Sequence, residues 1–471
     1  MRKWLAAFTA VCIAAAVGGV LIVGSMRRQA KAVEVTGTTL SGDGSAAEGL
    51  IMETVYGMNR AYWTSVTEWT VSGTKTETQY RYLAEEPRLT PVNFGLSLLD
   101  DGLWYCTNGD MAEYWWNVYG RPVSNGGNAV EIPLNSITYY EPARLELVRW
   151  NVLLGDAYEA EDKINDFLRI KVPDWQVVRL SHTRTWDADF QEMYDDYDAD
   201  IYAGEDTYYP KVMSAYTGEK LFFGVGNRSW RGQILDFSDT PGGYGVYMIP
   251  IRKIGTLKTA VEYEQKTLFD DYQIRIVETA YKTGEPEVVL PLKPEDQLLG
   301  MSMSEDLTKL FVLTLEDGRF VATVMDTGSL QVLARIDLCE NDIPEDPTIE
   351  CHAGENFGAF FVWNTDRLFI LYPYADGEWR PITLTGLEKL EIMGWYRFRQ
   401  ARVACDGERT AIVWDESEYI ASEAFYLTVF DKEKPVYTGR FYNSLKLANR
   451  NENLSVEDNI RREDFRIRWS E

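Results

Sequence analysis

Two histidines, His182 and His352, stand in a chain of 471 residues. Neither lies in an H-E-x-x-H run or beside Cys, Asp or Glu at zinc-site spacing, so zinc-assisted hydrolysis has no footing in the sequence. No G-x-S-x-G occurs, which excludes the nucleophile elbow of α/β-hydrolases. Cysteine is scarce at five residues, too few for a disulfide-stapled secreted module. Cys339 and Cys351 flank the acidic loop ENDIPEDPTIE. They either close it, for at most about 3 kcal/mol, or pack as small apolar side chains, as Cys106 and Cys405 would in their apolar runs.

Positive charge is short as well: 47 Lys and Arg oppose 73 Asp and Glu. All the acids lie beyond Ala32, whereas Arg2, Lys3, Arg27, Arg28 and Lys31 precede it, so the remainder carries a net charge of about −31. That field repels phosphate backbones, and no nucleic-acid partner is expected. At 45% hydrophobic residues the chain is too apolar for disorder.

Long apolar runs are missing with one exception. Leu5 to Gly24 is uncharged and flanked by Arg2, Lys3, Arg27 and Arg28, and a helix of this length crosses a hydrocarbon core about 30 Å thick. The run is longer than the apolar part of a cleaved signal peptide. Ala30-Lys31-Ala32 is the alternative, a cleavage site set unfavourably among basic residues. The expected organisation is a cytoplasmic end (1–3), a transmembrane signal anchor (4–26), a flexible linker (27–53) containing the Gly, Ser and Thr-rich TGTTLSGDGSAAEG, a β-propeller (54–445), and a tail (446–471). With so few residues before the span, the amino end stays in the cytoplasm and the body is exported.

What the chain has in quantity is short apolar strands between turn residues. From Leu298 to Leu338, four runs are separated by Ser304-Glu305-Asp306, Glu316-Asp317-Gly318 and Asp326-Thr327-Gly328-Ser329. Gly accepts positive φ and Asp or Ser bonds back to the turn backbone, so this reads as a four-stranded antiparallel meander. A unit of about 40 residues cannot cover both faces of its own sheet and needs copies beside it, as in a propeller blade. Looser copies are read at 94–134, 211–251, 257–292, 357–384 and 401–441. AYEAEDKINDFLRI, with Ala160, Ile164, Phe167 and Leu168 at helical spacing, reads as a short helix. Phe465, Ile467 and Trp469 alternate with Arg466 and Arg468, and residues 464–470 are expected to form a strand that joins the sheet begun near the amino end.

Asp326-Thr327-Gly328-Ser329-Leu330, Asp376-Gly377 and Asp406-Gly407-Glu408 resemble the blade turns of bacterial β-propeller repeat proteins of the WD40-like, YVTN and PQQ-repeat kind. The Trp-Asp and Gly-His marks of true WD40 repeats are absent. The resemblance implies an all-β chain, a seven- or eight-bladed β-propeller behind one amino-terminal transmembrane helix, at roughly 40 to 55 residues per blade.

Two groups of residues are candidates for chemistry. Asp187, Asp189, Asp195, Asp196, Asp198 and Asp200, within WDADFQEMYDDYDADIYAGED, supply the oxygens that a hard cation such as Ca2+ takes, though not at EF-hand spacing. The alternatives are a solvated acidic loop between blades or a surface for a cationic partner. Trp104, Trp115 and Trp116 belong to an aromatic cluster that either stacks on a sugar or peptide or packs between sheets. No cofactor is required by any motif. The expected function is a non-catalytic binding, sensing or scaffold module with a monomeric body and a protein or glycan partner in the cell envelope. The alternative is an exported carbohydrate-active enzyme that uses paired carboxylates.

Overall fold

The computed structural model describes residues 18, 34–58, 61–82, 94–98, 113–133, 145–149, 152–153, 158–170, 177–187, 192–202, 211–227, 234–267, 270–342, 349–362, 367–387, 401–415, 424–443 and 461–470. The chain divides into two compact units, Val92–Ile349 and Met1–Pro91 with Glu350–Glu471. Apart from Gly18, the apolar run Leu5 to Gly24 lies outside the described residues. Among those described, no helix is long and apolar enough to cross a membrane.

In the first unit, Gln297–Met303, Lys309–Glu316, Arg319–Asp326 and Val332–Glu340 form one antiparallel sheet in chain order. The two middle strands are buried on both faces, through Leu310, Phe311, Val312 and Leu313 in one and Phe320, Ala322, Val324 and Met325 in the other. This is why LFVLTL and FVATVM read as nearly continuous apolar runs. The outer strand Val332–Glu340 is mostly exposed and carries the polar residues. Asp317 and Gly318 both hold positive φ (47° and 77°), giving the two-residue hairpin whose twist matches its strands. At the next turn Asp326 Oδ1 accepts from Ser329 N (2.6 Å) and Ser329 Oγ (2.7 Å), and these bonds hold its carboxyl below the ordinary value.

The neighbouring sheet departs from the expected modules. Val212–Tyr216, Lys220–Val225, the first residues of Gly245–Thr267, and Glu287–Pro291 make a four-stranded meander. Between its third and fourth strands the chain leaves as a two-stranded ribbon, with Ile251 opposite Thr283 and Thr267 opposite Asp270. TAVEYE and YQIRIVETAY therefore belong to an insertion and not to a separate blade. Alternation marks a strand but does not choose its partner. The first strand of this meander runs beside the first strands Phe94–Leu98 and Gln297–Met303 of adjacent sheets, the side-by-side order of propeller blades. Phe222, Phe223, Tyr247 and Ile249 fill the core with Ala160, Ile164 and Leu168 of the expected helix, here Tyr158–Phe167 and the turn after it.

Residues 94–134 are not one meander. Phe94–Leu98 pairs with Leu145–Arg149, and Ala129–Pro133 pairs with Val177–Asp187. YWWNVY, expected as a strand, lies in a helical segment over 113–123. The acidic run is no loop either: Glu192–Tyr202 is a strand paired with Val177–Asp187 along its whole length. A Cβ on Gly120 would lie 2.8 Å from the Trp116 ring, 3.1 Å from Leu180 and 3.3 Å from Val130. Only glycine lets the helical segment settle this closely on the sheet.

Among the described residues the second unit holds three sheets. One runs Ile349–Ala353, Gly358–Val362, Arg367–Pro373, Trp379–Thr385. Another runs Arg402–Cys405, Arg409–Asp415, Ala424–Asp431, Lys434–Asn443, with Val35–Gly42 added to its outer edge. Residues 35–42, expected within a flexible linker, are thus a strand, because the open edge of Lys434–Asn443 offers backbone partners that a polar Thr-rich segment accepts. In the third sheet the expected closing strand, Arg461–Trp469, pairs with Leu50–Met58 from Leu50 opposite Trp469 to Gly57 opposite Arg461. Cys339, Cys351 and Cys405 are thiols, so Cys339 and Cys351 do not bridge the acidic loop. Burial pushes the Cys405 thiol up to about 11. Cys106 lies outside the described residues.

The closing strand is held by more than its ladder. Glu53 accepts from Arg466 (2.8 and 3.0 Å) and Arg468 (3.3 Å). Arg402 donates to the Phe465 carbonyl (2.9 Å), and Arg409 lies 3.9 Å over the Trp469 ring. Trp469→Ala is expected to lower stability by about 3–5 kcal/mol in denaturant unfolding, as for other buried aromatic truncations. Arg468→Ala, whose side chain is exposed, is expected to cost less than about 1 kcal/mol in the same measurement.

Candidate functional site

Ribbon register decides which of the candidate residues meet. Asp195 lies opposite Arg184, Tyr197 opposite His182, Asp196 opposite Thr183, Asp198 opposite Ser181 and Asp200 opposite Arg179. Residues directly opposite share a face and successive residues alternate, so Asp195, Tyr197, His182 and Arg184 form one face while Asp196 and Asp198 occupy the other.

The first face carries a compact group. His182 stacks on Tyr197 with ring centroids 4.8 Å apart, and Trp116 of the helical segment lies 5.8 Å from the imidazole. Asp195 Oδ1 is 3.0 Å from His182 Nε2 and 3.3 Å from Arg184 Nε. An ionised carboxylate only accepts, so Nε2 carries the proton in this pair, and Nδ1 of the neutral ring is an acceptor. Partial burial, then the charges of Asp195 and Glu113, hold the Tyr197 phenol above its ordinary value. Ser181 and Thr183, the nearest hydroxyls in sequence, project from the opposite face. Neither Ser181 nor Thr183 thus shares the face of the His182 and Asp195 pair, where the hydroxyl beside the imidazole is the Tyr197 phenol.

The expected residues are distributed unevenly around this group. Trp116 and Asp195 are brought together through His182. Trp115 and Trp116 are both buried, which favours packing over stacking on a ligand. The backbone of Asp187 stands opposite Glu192 at the end of the ribbon. Trp104 and Asp189 lie outside the described residues. Of the aspartates offered as Ca2+ ligands, Asp195 lies on one face of the strand and Asp196 and Asp198 on the other. Next-but-one residues on a strand are about 6.8 Å apart, whereas calcium draws its oxygens to about 2.3–2.6 Å, and Asp195 faces away from Asp196 and Asp198. Among the described residues no group of three His, Cys, Asp or Glu is placed to hold a metal. Asp196 and Asp198 are exposed on one face of the strand.

His182, Tyr197 and Arg184 were not singled out from the sequence. Their signal was the alternation in RLSHTRTW set against EMYDDYDAD, and it becomes specific only when the register is known. At the end of the same ribbon Trp186 is 56% exposed and Met193, directly opposite, 49%. Tyr194 is exposed on the acidic face.

No family model and no curated protein matches this chain. Solved structures with some likeness include the β-propeller domain of Cps50 (Swd1) from Myceliophteria thermophila, at 8% identity over 86% of this chain and 89% of that one, with a TM-score of 0.25. TolB from Acinetobacter baumannii matches at 10% identity over 90% and 83%, TM-score 0.21. A quinonprotein alcohol dehydrogenase-like protein from Bacteroides thetaiotaomicron matches at 10% over 88% and 94%, TM-score 0.19. Likeness this slight says nothing of function, and the blade-type fold rests on the meanders themselves.

Gly120→Ala is expected to destabilise the chain by about 1–3 kcal/mol, because its methyl group overpacks Trp116 and Leu180. Asp195→Asn removes one of the charges that raise the Tyr197 phenol. Ultraviolet difference titration of this variant, with Tyr197→Phe as the blank, should show the Tyr197 midpoint moved down towards the ordinary tyrosine value.

Proposed function

We propose that the chain is a non-catalytic binding module: a β-propeller of seven or eight blades, held outside the cytoplasm by the Leu5 to Gly24 span, that engages an envelope protein through the ribbon 177–202. The observation that carries this reading is the exposed Trp186 and Met193 pair at the end of the ribbon, on the face that carries Asp195 and opposite the one lined by Tyr194, Asp196 and Asp198. Large apolar side chains left in water next to carboxylates suit a partner that offers apolar and basic side chains together.

Catalysis finds less support. Ser181 and Thr183 project from the face opposite the His182 and Asp195 pair. Glycosidic cleavage needs two carboxyls facing each other across the scissile bond, about 5–5.5 Å or 6.5–9.5 Å apart. Adjacent Asp195 and Asp196 point to opposite faces of one strand.

A photo-crosslinking residue at position 194 of the full-length chain in its native envelope tests the reading. The expected result is one dominant protein adduct, lost when Trp186 and Met193 are both changed to Ser and retained when exposed Val332 and Leu333 are changed instead. Adducts indifferent to Trp186 and Met193 would refute the ribbon as the docking surface. Turnover of a glycan that Asp195→Asn abolishes would refute the non-catalytic reading.

A further inference from the structure

One side of the strand Glu192–Tyr202 is taken by Val177–Asp187, and among the described residues nothing pairs with the other side. The acidic strand is therefore a sheet edge, and the ladder fixes which of its backbone groups are left over. His182 N donates to Asn128 O (2.9 Å), on the side of Ala129–Pro133. Opposite residues in an antiparallel pair alternate between bonding each other and bonding outward, so His182 and Tyr197 do not bond each other through the backbone. The N–H and C=O of Tyr197 then point out of the open edge. Those of Asp195 and Met193 do the same, since no register shift interrupts the pairing. The 4.8 Å between the His182 and Tyr197 rings agrees with this, because side chains come closest in non-bonded pairs.

An open edge is a template for another strand, and edges are usually guarded by proline, lysine or a bulge. Residues 193–198, MYDDYD, hold none of these, and their pairing is unbroken. What this edge has is charge of one sign. On one face stand Tyr194, Asp196 and Asp198, whose partners across the pair are Thr185, Thr183 and Ser181, hydroxyls that neutralise no charge. On the other face Asp195 is already matched by His182 and Arg184, and the rung beyond it is the exposed Met193 with Trp186. Two copies of this edge would set carboxylate against carboxylate, so the charge turns away self-pairing. It admits a strand with positive side chains towards Asp196 and Asp198 and apolar ones towards Met193 and Trp186, an alternation of period two.

On the footing that the ribbon 177–202 is the docking surface, we propose that the partner protein binds as an added β-strand on the open edge of Glu192–Tyr202, through an extended segment that alternates apolar and basic residues. The backbone of Met193, Asp195 and Tyr197 supplies the ladder, and Asp196 and Asp198 supply the selection. The rest of this sheet is antiparallel, and the added strand follows the same sense. Its apolar residues then lie opposite Met193, Asp195 and Tyr197 and turn their N–H groups to the edge, while its basic residues turn theirs to solvent.

The probe is a peptide of about seven residues alternating valine and lysine, titrated by fluorescence anisotropy against the full-length chain in detergent micelles, with residue-resolved hydrogen exchange on the same samples. In the free chain the amides of Met193, Asp195 and Tyr197 should exchange quickly and those of Tyr194, Asp196 and Asp198 slowly, and the peptide should protect the first set. N-methylation of the valines should abolish binding, and N-methylation of the lysines should leave it. Asp196→Asn with Asp198→Asn should weaken binding about tenfold and reduce its salt dependence. Protection of Met193, Asp195 and Tyr197 in the free chain overturns the proposal, because the edge is then already taken. So does equal binding of a peptide with its valines and lysines in two blocks, or any N-methyl sensitivity other than that of the valines alone. If the alternating peptide does not bind while the envelope adduct at position 194 still depends on Trp186 and Met193, strand addition falls and the docking surface stands. Loss of that dependence as well removes both.

Discussion

Arg466 reaches back 413 residues to bond Glu53, and the ladder around that pair is the constraint on which the second unit depends. The backbone donors and acceptors of Leu50–Met58 on this side have no partner in their own part of the chain, and a sheet edge left open invites pairing with another molecule. The far end of the chain supplies the missing strand. Val35–Gly42 does the reciprocal service for Lys434–Asn443. Such pairing defers much of the stabilisation until distant segments have met, so loop-closure entropy is spent before these contacts form and slow folding follows from the topology.

Around that constraint the sheets repeat one solution. Middle strands such as Lys309–Glu316 and Arg319–Asp326 are apolar and buried on both faces, while outer strands carry charge. Asp337 and Glu340 of the outer strand pair with Arg319, and Arg335 of the same strand with Glu316. These exposed pairs add little stability, but they keep an edge polar where an apolar one would aggregate. Turns are set by local chemistry in the same way throughout: Asp406 accepts from Glu408 N and Arg409 N, and Asp376 from Glu378 N.

The two irregular parts, the ribbon 251–283 and the sheet that carries His182, interrupt this plan where connections between blade strands lengthen. Connections on a rigid scaffold are where binding surfaces usually arise, because they vary without disturbing the core. His182, Tyr197 and Trp116 illustrate the point. They come from two stretches of chain, are gathered by one strand register and one glycine contact, and stand beside the exposed Trp186 and Met193.

Turns, strand positions, the helix at Tyr158–Phe167 and the closing strand were fixed by residues close in sequence, since φ preferences, side-chain bonding to turn backbone and burial periodicity are local properties. TGTTLSG became a strand only because a distant edge needed one. TAVEYE and YQIRIVETAY paired with each other because Glu287–Pro291 took the place beside Gly245, a choice that alternation leaves open. The acidic run, expected as a loop, is a strand whose register sets Asp195 on one face and Asp196 and Asp198 on the other. Asn227 reaches the Pro294 and Asp296 carbonyls only through tertiary packing, and no spacing in the chain announces that contact.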